Sequence, residues 1–304
     1  MKIVYMGTPE FAVYPLKALL EDNRHEIAAV VTMPDKPAGR GQKIRFSDIK
    51  EFALQNNLPL LQPERLKDES FLEELRKIDA DLFIVVAFRM LPEVVWNMPR
   101  LGTINLHASL LPQYRGAAPI NWAIINGEKT TGLTTFRLTH EIDTGDIILQ
   151  KEIEILEDDN AGTLHDKMAL QGGDLVIKSV EVLEKNEVNF IKQTDKNTTL
   201  KPAPKIFKDT CQLDFTHSVD DLHNKVRGLS PYPAAWLDYK GLAVKVFETE
   251  KEITQHSEPI GNIISDGKTY AKVACSDGFL IIKNLQLSGK KRMNIKDLLL
   301  GYKF

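Results

Sequence analysis

The stretch KIVYMGTPEFAVYPLKALLEDNRHEIAAVVT, residues 2–32, decides the fold class. It opens with an apolar run at 2–6 that ends at the turn residues Gly7-Thr-Pro9 and predicts a buried strand. Apolar residues with helical spacing follow, and 26–32 form a second apolar run rich in β-branched side chains. Strand, turn, helix and strand in this order form a βαβ unit, so the sequence predicts an α/β fold with a parallel sheet.

The turn after the first strand argues against two common nucleotide sites. Gly7-Thr-Pro-Glu10 is not a G-x-G-x-x-G motif, and it lacks the Lys-Ser/Thr pair of a P-loop. A dinucleotide-dependent oxidoreductase and a nucleoside-triphosphate site are therefore weakly supported by this segment.

Length and composition describe an ordinary globular protein. The chain has 304 residues, 43% hydrophobic and 27% charged, with a formal net charge of −3, and this length suggests two domains. Its two cysteines, Cys211 and Cys275, form no C-x-x-C pair, which argues against a disulfide framework or cysteine-based zinc site. No signal peptide or membrane-spanning run is evident, so we expect a cytoplasmic protein with no membrane contact.

The stretch 102–116 carries the first chemical signal. Asn105 and His107 are two residues apart in a short apolar run, so on a strand both side chains point to the same face. Pro112 then breaks the strand, because it has no amide donor and its φ is fixed. A neutral amide beside an imidazole suits the stabilisation of an oxyanion, although polar side chains at a strand end can also serve only as scaffold.

A basic segment at 34–45 has two prolines, two glycines and four cations. We expect no regular helix or strand there. Cations on a flexible segment suit a phosphate-rich partner, and a solvated surface loop is the alternative.

The sequence Asp143-Thr-Gly-Asp146 leaves three readings open. It can be an Asp/Gly turn, a cation-binding loop or the site of a catalytic carboxylate. A calcium loop needs more oxygen ligands at fixed spacing than this segment offers.

The C-terminal third has a different character. Residues 192–208 carry five lysines and two prolines and predict an extended basic linker. Several short strands with Gly and Asp turns follow, which predicts a small, OB-like β-barrel. Gly289-Lys-Lys-Arg292 adds a compact basic cluster.

Taken together, these motifs resemble the methionyl-tRNA formyltransferases along nearly the whole chain. The similar segments are Gly7-Thr-Pro-Glu-Phe11, Pro34-Asp-Lys-Pro-Ala-Gly-Arg-Gly41, Asn105-Leu-His107-Ala-Ser-Leu-Leu-Pro112, Tyr114-Arg-Gly116, Asp143-Thr-Gly-Asp146 and Gly289-Lys-Lys-Arg-Met293. The resemblance implies a Rossmann-like formyltransferase domain at 1–191, a basic linker at 192–208 and an OB-like, tRNA-binding β-barrel at 209–304. It implies transfer of the formyl group of 10-formyltetrahydrofolate to the methionine of charged initiator tRNA, with no metal and no obligate protein partner.

The resemblance also implies roles for individual residues. Asn105 and His107 would stabilise the oxyanion, and Asp143 would support His107 or accept the amine proton. The folate-binding residues would be Ser109, Leu110, Leu111 and Pro112. The tRNA-binding residues would be Lys36, Arg40, Lys43, Arg45, Lys290, Lys291 and Arg292.

Two departures from the family pattern lie near the expected folate pocket. Gln113 stands where the family commonly has a basic residue, and Phe88-Arg89 replaces the usual Tyr-Gly. A sugar-nucleotide formyltransferase, which uses the same folate donor, is the alternative function, and the basic segment and basic cluster argue against it.

Overall fold

The computed structural model describes residues 1–38, 43–194, 199–302 and 304, with only the main chain for 36–38, 43 and 44. The chain forms two compact units. The first comprises 1–115, 132–153 and 165–201, and the second comprises 116–131, 154–164 and 202–304. Residues 116–131 and 154–164 thus belong to the C-terminal unit, and the predicted linker is divided at Lys201. The domain limits drawn from the sequence stay a prediction.

A twisted α/β sheet forms the first unit. Its strands are β1 (Lys2–Gly7), β2 (Glu26–Val31), β5 (Leu60–Leu61), β6 (Leu82–Val86), β7 (Thr103–His107), β8 (Thr130–Arg137) and β9 (Ile147–Glu154). In the described part of the chain their order is β5-β2-β1-β6-β7-β8-β9. From β5 to β7 neighbouring strands are parallel, and β8 runs antiparallel to β7.

The βαβ prediction is confirmed, because β1 and β2 are parallel neighbours joined through a helix. Every residue of β6 is buried, as expected for a central parallel strand that is covered on both faces. Gly7 ends β1 where an added Cβ would lie 2.6 Å from the Ala12 Cβ, so the turn needs a residue without a side chain.

The chain also forms helices in both units. They are α1 (Val13–Asp22), α2 (Asp48–Gln55), α3 (Glu69–Ile78), α4 (Glu93–Trp96), α5 (Pro119–Ile125), α6 (Ala161–Glu184), α7 (Val219–Leu229) and α8 (Ile295–Leu299). Ser47 caps α2 by accepting from the Lys50 N–H. Phe71, Leu72 and Leu75 form the buried stripe of α3 and pack in one cluster with side chains from β1, β2 and β6.

The basic segment forms a hairpin at its two ends, where we expected no regular structure. Strands β3 (Lys36–Ala38) and β4 (Lys43–Arg45) pair antiparallel, with Lys36 opposite Arg45. Pro37 is tolerated because this is a two-stranded ribbon in the described residues, where a strand edge needs no amide donor. Residues 39–42 lie outside the described residues.

An ion pair anchors the base of this hairpin. The Lys50 ammonium lies 2.5 Å from Asp35 Oδ2, and Gln62 Nε2 donates to Asp35 Oδ1 over 3.0 Å. The hydrogen bond from Lys50, followed by that from Gln62, holds the pKa of Asp35 below its usual range. The carboxylate therefore stays charged near neutral pH and ties the segment to α2.

The second unit contains a small antiparallel sheet in the region where the sequence predicts an OB-like β-barrel. Its strands are β10 (Ala235–Tyr239), β11 (Leu242–Ile253), β12 (Ile263–Ser265), β13 (Ala271–Ala274), β14 (Gly278–Gln286) and β15 (Met293–Asn294). The pairing path through the described residues is β10-β11-β14-β13-β12, with β15 on β14. Val219, Leu222 and Val226 of α7 are buried in the same core as these strands.

Among the described residues, no helix combines the length and apolar character needed to cross a membrane.

Candidate active site

The end of β7 presents the predicted pair of polar side chains. Because β7 is hydrogen-bonded to β6 and β8, Asn105 lies opposite Val85 on one side and Phe136 on the other. His107 is 7% exposed and Asn105 is half-buried. Within the described residues the Asn105 amide makes no side-chain hydrogen bond, so its donors can serve a bound molecule.

The His107 ring lies between two oxygen acceptors. Its Nε2 is 2.9 Å from the Tyr114 carbonyl oxygen, and its Nδ1 is 4.0 Å from Asp143 Oδ2. Because a carbonyl oxygen only accepts, Nε2 carries a proton in this geometry. The 4.0 Å separation exceeds a direct hydrogen bond, so Nδ1 and the carboxylate face each other across a narrow gap.

The loop that carries Asp143 joins β8 to β9 and is tightly held. An added Cβ on Gly145 would lie 1.7 Å from the Arg137 carbonyl oxygen, so only glycine fits. The Arg137 N–H donates to the Asp146 main-chain carbonyl over 3.0 Å. Gln193 Nε2 donates to the carbonyls of Asp143 and Gly145 over 2.9 and 2.8 Å. The carboxylate of Asp143 therefore sits on a fixed backbone.

Backbone strain gathers around His107. Tyr114 and Asp143, which supply its two acceptors, have φ of +59° and +55°. Ala87 has φ of +47° and directly follows Val86, which lies opposite Leu106 in the register of β6 with β7. Non-glycine residues in this region cost about 1–3 kcal/mol each and gather at functional sites. We infer that this end of the sheet is organised for a task beyond folding.

The segment predicted to bind folate is only partly accessible. Ser109 is fully buried, and its hydroxyl donates to the Gln113 carbonyl over 2.6 Å. Leu111 is also buried and packs inside the unit, whereas Leu110 and Pro112 are half-buried. A ligand on this segment would meet Leu110, Pro112 and main-chain atoms.

Those predicted basic residues that the structure describes lie on two hairpins. Lys36 and Lys43 are on β3 and β4, Arg45 is exposed at the end of β4, and Arg40 lies outside the described residues. The cluster of Lys290, Lys291 and Arg292 is exposed between β14 and β15. Arg292 also donates from Nε to Asn284 Oδ1 over 2.7 Å and lies 4.4 Å above the Phe247 ring.

Sequence reasoning missed two contributors to this site. The Tyr114 carbonyl is a main-chain atom, and a residue type carries no signal for such a role. Gln193 falls in a segment whose lysines and prolines predicted a linker. Its role can be recognised only in the folded structure, where its amide contacts both Arg115 and the Asp143 loop.

Comparison with known proteins decides the family. Residues 1–180 match the family described as formyl transferase, and 205–303 match formyl transferase, C-terminal domain. A methionyl-tRNA formyltransferase of Bacteroides thetaiotaomicron is 54% identical over 310 residues, covering 100% of this chain and 96% of that protein. One of Parabacteroides distasonis is 56% identical over 312 residues, with the same coverage.

This chain belongs to the methionyl-tRNA formyltransferase family. Solved structures agree on the fold. A sugar 3N-formyl transferase, WlaRD, in the presence of dTDP and 5-N-formyl-THF is 22% identical with a TM-score of 0.66, covering 96% of this chain and 99% of that one. HypX from Aquifex aeolicus, in complex with tetrahydrofolic acid, is 19% identical with a TM-score of 0.65 over 99% of this chain and 47% of that one. At such identities the likeness shows the fold alone.

The two departures from the methionyl-tRNA formyltransferase pattern have specific contacts. Gln113 Oε1 accepts from the Lys201 N–H over 2.8 Å, and its Nε2 donates to the Thr199 carbonyl. Arg89 donates to the carbonyls of Pro63 and Glu64, and burial lowers its pKa. Both side chains therefore fasten neighbouring main-chain segments within the first unit.

Gly145→Ala tests the placement of the Asp143 loop in this formyltransferase. The new Cβ would overlap the Arg137 carbonyl oxygen, so the loop must move. We expect the formyl-transfer rate to fall at least about tenfold, because displacements near 1 Å can cost ~100-fold. The matched control is Gly301→Ala, where an added Cβ meets no atom of the described residues within 4 Å. Steady-state kinetics and thermal melts of both variants measure this, and equal activity in the two would contradict the placement.

Proposed function

We propose that this chain transfers the formyl group of 10-formyltetrahydrofolate to the α-amino group of methionine on initiator methionyl-tRNA, giving N-formylmethionyl-tRNA for translation initiation. The observation that carries the proposal is full-length similarity, at 54–56% identity, to proteins named methionyl-tRNA formyltransferase. The pair of His107 and Asp143 at the end of β7 supplies side chains suited to the reaction.

The proposed reaction is an acyl transfer through a tetrahedral intermediate. The amine nitrogen attacks the formyl carbon, and the carbonyl electron pair moves to the oxygen. Collapse of the intermediate breaks the bond to the folate nitrogen, which leaves with a proton, while the amine loses one. The developing oxyanion is the group that the protein must stabilise.

Asn105 and His107 are the proposed oxyanion donors. The Asn105 amide has donors not used by the described residues. The Nε2 of His107 is occupied by the Tyr114 carbonyl, so Nδ1 is the nitrogen that faces the reaction. Donors aimed in advance at an oxyanion contribute about 3–4 kcal/mol each to stabilising the transition state.

Asp143 is the proposed partner of the imidazolium and the acceptor of the amine proton, directly or through water. Its carboxylate faces Nδ1 across 4.0 Å, and its side chain is 13% exposed. A charge in a nearly dry site acts more strongly than one in water. The carboxylate can thus interact with the His107 ring and receive a proton from the attacking amine.

The folate donor is proposed to lie along residues 109–112, against Leu110, Pro112 and the main chain. A half-buried apolar surface suits a flat pterin ring better than a phosphate group. The buried side chains of Ser109 and Leu111 would fix the shape of this surface.

The acceptor tRNA is proposed to bind the basic segment 34–45, through Lys36, Arg40, Lys43 and Arg45, and the cluster Lys290, Lys291 and Arg292. A protein of net charge −3 can bind RNA through such local basic surfaces. Binding should weaken steeply with salt, because each neutralised phosphate releases counterions.

His107→Ala tests the proposed chemistry. We expect kcat for formyl transfer to fall about 100- to 1,000-fold, the cost of one oxyanion donor, with tRNA affinity nearly unchanged. His217→Ala removes an exposed imidazole of the second unit and should retain wild-type kcat. Single-turnover kinetics and filter binding of charged tRNA measure the two quantities. Near wild-type turnover in the His107 variant would contradict the assignment of His107 as an oxyanion donor.

Arg40→Ala tests the proposed acceptor site. We expect KM for charged tRNA to rise about 5- to 100-fold, the effect of losing one specific arginine contact, with KM for the folate donor unchanged. Arg76→Ala on α3 removes the same charge from an exposed side chain paired with Glu69, and controls for net charge. Steady-state titrations of each substrate measure this. Equal losses for both substrates, or equal losses in the two variants, would refute the proposed role of Arg40 and the basic segment 34–45 in tRNA binding.

A further inference from the structure

Gln193 uses its whole side-chain amide to join two loops. Its Oε1 accepts from Arg115 Nε and Nη2 over 3.1 and 2.7 Å. Its Nε2 donates to the carbonyls of Asp143 and Gly145 over 2.9 and 2.8 Å. These bonds fill the two donors and two lone pairs of a glutamine side chain. A fully satisfied, half-buried amide is held in one orientation.

The two joined loops are those that present acceptors to His107. Arg115 directly follows Tyr114, whose carbonyl faces Nε2, and the Asp143 carboxylate faces Nδ1. Both presenting residues lie in the left-handed region, which costs free energy unless the surroundings hold them. A link between their loops therefore bears directly on the geometry around the ring.

A pair of main-chain hydrogen bonds places Gln193 beside the Asp143 loop. Two residues earlier, Ile191 exchanges both main-chain hydrogen bonds with Ile147, at 2.8 and 3.0 Å. Ile147 begins β9, immediately after the Asp143 loop. The bridge fixes the register of the segment, so the side chain at 193 reaches the loop that precedes β9.

Gln193 also borders solvent. With Arg115, Thr139, His140, Glu141 and Thr144 it lines an open cavity of about 440 Å³. A direct substrate contact from this cavity is the alternative role, and it would change KM rather than kcat.

We propose that Gln193 is a positioning residue, which sets the distance between His107 Nδ1 and the Asp143 carboxylate by fastening the Asp143 loop to Arg115. The expected change in kcat rests on the proposed function, whereas the fastening of the loop rests on the structure alone. Gln193 acts through Asp143 and touches no reacting atom.

Gln193→Ala and Gln193→Glu test the fastening. The glutamate keeps an oxygen that accepts both hydrogen bonds from Arg115. It replaces the amide nitrogen, which donates to two carbonyl oxygens, with a carboxylate oxygen that cannot donate. Gln193→Glu should therefore release the loop at least as strongly as Gln193→Ala. We expect kcat to fall about 10- to 100-fold, with KM for both substrates within about twofold of wild type. Asn56→Asp is the matched control, because it removes a 2.8 Å bond from an amide to the Phe52 carbonyl elsewhere in the unit.

A double-mutant cycle with Asp143→Asn distinguishes positioning from general destabilisation. If Gln193 acts through the Asp143 carboxylate, Gln193→Ala should change kcat by less than about twofold in the Asp143→Asn background. Additive losses in kcat, or a rise in KM without a fall in kcat, would overturn the proposal.

Hydrogen exchange separates the fastening from the proposed function. Gln193→Ala should raise amide exchange at 138–146 and 113–116, with no change in the core strand β6. Unchanged exchange in both loops overturns the fastening, even if formyl transfer is confirmed. If the wild-type protein shows no formyl transfer but exchange in both loops rises in Gln193→Ala, the proposed function is overturned and the fastening is still supported.

Discussion

The hydrogen bond between His107 Nε2 and the Tyr114 carbonyl is the constraint on which the rest of the site depends. A carbonyl oxygen accepts only, so it holds a proton on Nε2 and leaves Nδ1 to face the Asp143 carboxylate. Because β7 is hydrogen-bonded to a strand on each side, the main chain that carries the His107 side chain is held in place. With Nε2 occupied and the strand held by its neighbours, the part of the proposed chemistry that falls to His107 uses Nδ1, which faces the Asp143 carboxylate.

Holding that arrangement requires loops in costly conformations. Tyr114 and Asp143 both have positive φ, and a loop with such residues relaxes unless packing and hydrogen bonds restrain it. Close packing of Gly145 against the Arg137 carbonyl restrains one end, and Gln193 joins the loop to Arg115. The site thus depends on main-chain restraints as much as on its reactive side chains.

Hydrophobic pattern and side-chain chemistry predicted the parallel sheet, the buried strand β6, a small C-terminal domain of short strands and the shared face of Asn105 and His107. The sequence also singled out Asp143, and the structure brings it to His107. The β3–β4 pairing escaped prediction, because proline and glycine outweighed strand signals in an isolated ribbon. Gln193 and the Tyr114 carbonyl escaped because their roles depend on folded neighbours, and neither residue type points to them.

The acceptor is the central claim, and one competition measures it directly. Purified protein receives 10-formyltetrahydrofolate with equal concentrations of charged initiator tRNA and an amino-sugar nucleotide, and the formylated products are separated and quantified. The account predicts N-formylmethionyl-tRNA as the product, with the sugar nucleotide unchanged and with rates that fall as salt increases. Formylation of the sugar nucleotide in preference to the tRNA would contradict it.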